Sequence, residues 1–290
     1  MKKITLWAVA LLCATFTFAQ TAKLQVIHNS PTPTVDVYVN GDLLLDDFAF
    51  RTATPFVDVP AETELTIGIA LGSSTSADEA LVNIPVTLEA DKNYIAVANG
   101  IVGGDPGFAL EVTDIGRTMA DEAGNVNLLI FHGSPDAPEV DFTLTDGTVL
   151  FDNVSFGNYS SDYLSVPAGS YGLAVTPAED NSTVVAAYDG NFGFWRGNTA
   201  VVFASGFLSG DAPAFEPWVA LSNGGTFPLK AMGATEEDMM AKLQVIHNSP
   251  TPTVDIYVNG GLLLDYFAFR TATPYVDVPA GVELNIGVAL

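Results

Sequence analysis

The sequence predicts an all-β chain of tandem immunoglobulin-like β-sandwich domains, with the third copy truncated. Three observations predict it. Short runs alternate apolar and polar residues at period two, as in Val35-Asp36-Val37-Tyr38-Val39. Gly, Pro, Asn and Asp punctuate those runs, and Asn40-Gly41 and Asp146-Gly147 read as hairpin turns, because the favoured tight turn needs positive φ at both central residues. Residues 23–71 recur as 242–290, displaced by 219 positions with eight differences.

The first element is an export leader over residues 1–19. Lys2 and Lys3 open it, an apolar run follows from Ile4 to Phe16, and Thr17-Phe18-Ala19 forms a small-x-small cleavage site before Gln20. The run is too short to span a bilayer comfortably, and no later stretch approaches about 20 uninterrupted apolar residues. The only cysteine, Cys13, lies in the leader, so each exported domain depends on its hydrophobic core rather than on disulfides. The net charge is −24, two units more negative once Lys2 and Lys3 are gone. Such a field repels phosphate backbones and anionic lipids, which argues against nucleic acid and against direct membrane insertion.

Repeat A occupies 20–118. Strands are expected at 24–27, 35–39, 56–59, 64–71, 81–88, 94–99 and 108–113, and seven or eight such strands in about 100 residues fit a two-sheet sandwich, with a small closed barrel as the alternative. Repeat B occupies 119–229, because Phe131-His132-Gly133-Ser134-Pro135 and Val140-Asp141 echo Ile27-His28-Asn29-Ser30-Pro31 and Val35-Asp36. The alternation lapses at 116–125 and at 230–241, and both read as linkers. The segment 232–240 has helical composition but is too short to be stable alone. The third copy, A′, covers 242–290 and matches A far better than B, so the duplicated unit is the A-B pair and a further B-type repeat is expected beyond it. Counterparts of 81–100 are missing from A′. A half-domain of roughly 50 residues buries little apolar surface and leaves a strand edge unpaired, so 242–290 is expected to be disordered, swapped or aggregation-prone.

Two stretches carry a family resemblance. Residues 28–41, His28-Asn29-Ser30-Pro31 through Asn40-Gly41, and residues 132–141, His132-Gly133-Ser134-Pro135 through Val140-Asp141, resemble the opening of domain-of-unknown-function family 4397; residues 162–171 resemble its second motif. A departs at Glu62, where B and A′ carry Gly169 and Gly281. The resemblance implies an exported sandwich module, repeated on bacterial surface proteins, and brings no catalytic residues with it. It also implies a secreted or outer-surface location on a Gram-negative bacterium.

The residues capable of chemistry are few. His28, His132 and His247 occupy the same place in the three repeats, each followed by a serine and a proline. One histidine per rigid module cannot assemble the three or four ligands of a metal site. The expected role is structural, the imidazole bonding the turn at Ser30, Ser134 or Ser249 or the carboxylate of Asp36, Asp141 or Asp255. Ser30, His28 and Asp36 have the residue types of a nucleophilic triad, but no Gly-x-Ser-x-Gly elbow is present and the serine precedes proline in a turn. Asp42, Asp46 and Asp47, with Asp105, make calcium the one cofactor worth testing, although the spacing is not an EF-hand and A′ carries Gly261 and Tyr266 at two of those places. In 191–198 period two puts Phe192 and Phe194 inside and Trp195 outside beside Arg196. There Trp195, with Trp218, would form an aromatic platform for a sugar ring; the alternative is that Trp195 covers a contact between domains or a sandwich end. The sequence therefore predicts a non-catalytic secreted or cell-surface repeat protein with spacer or adhesion modules and a surface glycan or protein as partner. A carbohydrate-binding module in B is the alternative.

Overall fold

The computed structural model describes residues 20–210, 212–232, 240–258, 261–279 and 286–289. The leader at 1–19 and most of the segment 232–240 lie outside the described residues.

Repeat A is a two-sheet sandwich. Its outer sheet has the order β3-β2-β5-β6, formed by β2 (Val35–Val39), β3 (Asp42–Phe48), β5 (Glu64–Leu71) and β6 (Val82–Thr87). Its inner sheet has the order β4-β1-β7-β8, formed by β1 (Thr21–His28), β4 (Val57–Pro60), β7 (Asn93–Asn99) and β8 (Ala109–Thr113). All neighbours are antiparallel except β1 and β7, which run parallel from Lys23 opposite Asn93 to His28 opposite Ala98. Leu24 and Val26 of β1 meet Val35, Val37, Leu65 and Ile67 in the core between the sheets.

Repeat B copies this plan. The inner sheet, order β12-β9-β15-β16-β17, comprises β9 (Asn125–His132), β12 (Leu164–Pro167), β15 (Thr199–Ser205), β16 (Glu216–Leu221) and β17 (Thr226–Pro228). The outer sheet, order β11-β10-β13-β14-β18, comprises β10 (Val140–Leu144), β11 (Val149–Val154), β13 (Ser170–Pro177), β14 (Ala186–Asn191) and β18 (Lys230–Ala231). The stretch expected to start a linker at 230 therefore begins as a strand: Lys230 and Ala231 pair with Asp189 and Tyr188.

The two hairpins expected to be alike differ. In A, Asn40 and Gly41 both take positive φ, 52° and 91°, and form a two-residue loop. In B the loop is longer and only Gly147 is left-handed (φ 90°), while the Asp146 carboxylate accepts the Thr148 N–H at 3.0 Å. The side-chain cap takes over what the second positive φ does in A.

In A′, β19 (Met240–Leu243) pairs with β24 (Val276–Pro279), β20 (Ile246–His247) pairs with β23 (Thr271–Ala272), and β21 (Val254–Val258) sits between β22 (Gly261–Phe267) and β25 (Ile286–Ala289). Val254, Ile256 and Phe267 form its small core.

The inner sheets of A and B pack against each other. Ile27, Ile95 and Val97 of A join Leu129, Phe131, Val201, Phe203 and Ala220 of B in one cluster, all nearly or completely buried. A and B thus form four layers of sheet, and the two middle layers are buried on both faces. This explains why β1, β9 and β15 are buried along nearly their whole length, and why β9 and β15 carry continuous apolar runs rather than alternating.

Candidate functional site

The repeated His-x-Ser motif closes the turn after the first strand of repeats A and B, while in A′ His247 is buried against Phe267. His28 Nε2 donates to Pro33 O at 3.2 Å, and its Nδ1 accepts the Ser30 N–H at 3.3 Å. His132 Nε2 donates to Pro138 O at 2.9 Å. Burial lowers the His28 pKa to about 4, only partly offset by the carbonyl bond, and moves His132 in the same direction for the same reason. Both imidazoles are neutral clamps. The serines face elsewhere: Ser30 Oγ donates to Gly100 O at 2.8 Å and Ser134 Oγ to Gly206 O at 2.7 Å, while Ser249 Oγ in A′ donates to Thr251 O at 3.2 Å.

The aspartates do not meet the histidines. Asp36, Asp141 and Asp255 each accept the backbone N–H of one residue eleven or twelve places on, respectively Asp47 (2.9 Å), Asn153 (2.6 Å) and Tyr266 (2.9 Å). Those three acceptors' partners take left-handed φ of 50°, 53° and 52° where the hairpin register shifts. The aspartate fixes a β-bulge, and in A its other oxygen accepts from Ser74 Oγ rather than from His28 or Ser30. Among the described residues these serines, histidines and aspartates assemble no relay.

The acidic residues considered for calcium are dispersed. Asp42 and Asp46 lie exposed on edge strand β3, Asp47 is the bulge residue, and Asp105 is on a separate exposed loop. Among the described residues no three His, Cys, Asp or Glu side chains converge as a metal site.

The aromatic platform expected in B is not formed. Residues Phe192–Trp195 make a 3-10 turn, capped where the Asn191 side chain accepts the Gly193 N–H at 3.3 Å. In such a turn residues three apart eclipse, so Phe192 and Trp195 share a side instead of opposing one another. Both are buried, with ring centroids 5.1 Å apart, and Phe227 lies 5.1 Å from Trp195 on its other flank. Arg196 remains exposed after the turn, its carbonyl accepting from Asn198 Nδ2 at 3.4 Å. Trp218 is 23 residues away in sequence on β16, half-buried at the seam between A and B.

Among the described residues that seam is the most elaborate polar site, and its centre is Arg51, a residue that periodicity does not single out. Arg51 has a left-handed φ of 64° and its guanidinium lies between the rings of Phe50 (4.8 Å) and Trp218 (5.2 Å). It donates across the seam to Ser205 Oγ (3.0 Å), Ser205 O (3.3 Å), Ala214 O (2.8 Å) and Glu216 Oε2 (2.6 Å). The same carboxylate oxygen accepts from Trp218 Nε1 at 3.2 Å. Burial lowers the Arg51 pKa and the Glu216 charge opposes that shift. Three further bridges flank it. Gln25 Nε2 donates to Leu221 O (2.7 Å), Asn29 Nδ2 donates to Gly133 O (3.1 Å) and Ala204 O (3.2 Å), and Tyr159 Oη donates to Glu111 O (2.8 Å). Tyr159 is so thoroughly buried that its pKa rises well above that of a free tyrosine.

The seam joins unlike partners. His28 and His132 are equivalent, yet the next residue is Asn29 in A and Gly133 in B. A Cβ on Gly133 would lie 2.0 Å from Asn29 Nδ2, so the glycine provides the hole that the asparagine fills.

With the three copies of one motif in place, the sequence profile of a domain of unknown function (DUF4397) matches residues 22–143, 126–220 and 241–289. The chain belongs to the DUF4397 family. No curated protein matches it. Among solved structures, the product complex of a multi-modular glycogen-degrading pneumococcal virulence factor, SpuA, is similar at 10% identity and a TM-score of 0.20, over 91% of this chain and 35% of that one. The chain spans about a third of that protein's length, and the likeness carries no argument. The DUF4397 sandwiches here are all-β, and among the described residues no helix is long and apolar enough to cross a membrane.

Proposed function

We propose that this DUF4397 protein is a non-catalytic, exported repeat protein whose working unit is the A-B pair, a stiff block used as a spacer or adhesion element at the outer surface of a Gram-negative cell. The observation that carries the reading is the shared apolar layer between the inner sheets, reinforced by Arg51. Modules that bury apolar sheet faces on each other move as one body, as a spacer or a multivalent adhesin requires. The histidines, serines and aspartates of the motif are engaged in turns and bulges, which fits a structural rather than a chemical repeat. The outward partner is a surface glycan or protein, engaged through the exposed outer faces and loops rather than through Trp195.

Two tryptophans report on this directly. The chain carrying Trp195→Phe retains Trp218 at the seam, and the chain carrying Trp218→Phe retains Trp195 in the B core. As a block, each chain shows its remaining tryptophan signal changing at the same urea concentration as its far-UV circular dichroism. Trp218 fluorescence shifting to that of exposed indole at a urea concentration where Trp195 and far-UV circular dichroism are still native would mean independent beads, and the reading would fall.

A further inference from the structure

A′ presents, uncovered, the half of the docking face that A offers to B through β1 and the loop after β3. Its residues are those of A at three of the polar bridges: Gln244, Asn248 and Arg270 stand where A has Gln25, Asn29 and Arg51. They are also set in the same way. Gln244 Nε2 donates to Thr273 O at 2.9 Å, as Gln25 does to Thr54 O at 2.9 Å, and the Val245 N–H bonds Thr273 Oγ1 at 3.0 Å where Val26 bonds Thr54 Oγ1 at 2.9 Å. Arg270 has a φ of 62° and lies 4.8 Å over Phe269, the same arrangement as Arg51 over Phe50. Ile27 is completely buried under B, whereas its counterpart Ile246 is 66% exposed, with exposed Tyr275 nearby where A has Phe56.

We infer that this face of A′ is a docking surface for a B-type module, recognised by three features: a glycine opposite Asn248, an acidic residue opposite Arg270, and a backbone carbonyl opposite Gln244. The glycine requirement selects the partner. An A-type face would set an asparagine against Asn248, in the place where even a single Cβ comes within 2.0 Å of the amide in the A-B pair. The exposed cation supplies the second criterion, since Arg51 finds its carboxylate, Glu216, only on B. A and A′ are therefore competitors for one kind of partner. The inference rests on the A-B pairing described above, and the experiment separates failure of the one from failure of the other.

The probe is the B module of the chain itself, read by hydrogen-deuterium exchange on the full exported chain. Segments 47–57 and 266–276 are distinguishable because Asp47 and Phe56 are replaced by Tyr266 and Tyr275. Glu216→Arg repels both arginines; adding Arg51→Glu returns B to A and restores protection at 47–57, which checks the pairing. Adding Arg270→Glu instead directs B to A′, so 266–276 gains protection while 47–57 stays open. Arg51→Glu alone, which alters neither B nor A′, gives the same gain at 266–276 and covers the event that Glu216→Arg does not fold. Light scattering then tells whether the B module is the chain's own, at unchanged mass, or a second copy's, at doubled mass; either supports the inference. Unchanged exchange at 266–276 in both chains overturns it, as does a dimer that persists with Glu216→Arg, because the face would then be pairing with something other than B. Failure of Arg51→Glu to restore 47–57 removes the A-B pairing and the inference with it.

Discussion

Replacing Gly133 by alanine tests the seam by the sign of its effect. Gly133 does not take a left-handed φ, so alanine suffers no backbone strain there. On a free surface the change would stabilise the chain by about 0.4–1 kcal/mol, through a less flexible unfolded state. In the A-B pair the new Cβ would lie 2.0 Å from Asn29 Nδ2, 2.8 Å from Ala204 O and 2.9 Å from Phe131 Cε1. Forced repacking costs about 1–3 kcal/mol. Displacing the Asn29 amide from Gly133 O and Ala204 O strands buried polar atoms at a further cost of about 1–3 kcal/mol. Net of the unfolded-state gain the expected loss is therefore about 1–6 kcal/mol, measured by urea unfolding of the exported chain. The contacts with Ala204 and Phe131 are internal to B, so the inter-module part is isolated by repeating the substitution in an Asn29→Ala background. There the cost of Gly133→Ala should shrink by at least about 1 kcal/mol. A neutral or stabilising alanine, or an identical cost in both backgrounds, would refute the docked arrangement.

Acid should destabilise the protein through its buried histidine. The folded-state pKa of His28, about 4, lies below its ordinary value of 6.5, so the unfolded state binds more protons and stability falls as pH drops from about 6.5 to 4. At 1.36 kcal/mol per unit the loss approaches about 3 kcal/mol; His28→Gln should flatten the profile, and an NMR titration of His28 near 6.5 would contradict it. Arg51→Ala should cost about 2–4 kcal/mol by unfolding midpoint, since a part-buried guanidinium loses four cross-seam bonds and leaves Glu216 with the Trp218 indole but without its cation; a change below about 0.5 kcal/mol would place Arg51 outside the seam. Trp195→Ala should lose about 3–5 kcal/mol as a core cavity, with glycan-array signals unaltered in any chain that remains folded; selective loss of a glycan signal would restore the platform reading.

Much of the sandwich was legible because its strands carry their own signal. The run 64–71 is β5 to the residue, and 94–99 and 108–113 fall within one residue of β7 and β8. Local turn chemistry was harder to read. Period two assigns Trp195 to the surface, but Asn191 caps a 3-10 turn, and a spacing of three then carries Trp195 to the same side as Phe192. The seam was not read at all, although its signature is present in Leu128-Leu129-Ile130-Phe131 and Val201-Val202-Phe203, which have no polar face to offer water. A strand without alternation has both faces covered, and here the second cover is another module. Arg51 leaves no periodic trace, because a residue in a loop after β3 is placed by its left-handed backbone and by what it meets across the seam, neither of which a local window contains.

The asymmetry of the seam explains why A′ copies A rather than averaging A with B. Two sandwiches of one ancestry could pair through identical faces, with a two-fold axis between His28 and His132. Asn29 and Gly133 forbid it: like pairing sets two asparagines in one place in one case and leaves an unfilled hole in the other. Arg51 adds a charge that only B answers, through Glu216. Once such differences exist, each module is fitted to the other type, and duplicating a single module yields a face without a partner. The repeating unit becomes the pair, so a second A-type sequence keeps Gln244, Asn248 and Arg270 as A has them, while Asp42 and Asp47, exposed on the outer sheet's edge strand, drift to Gly261 and Tyr266.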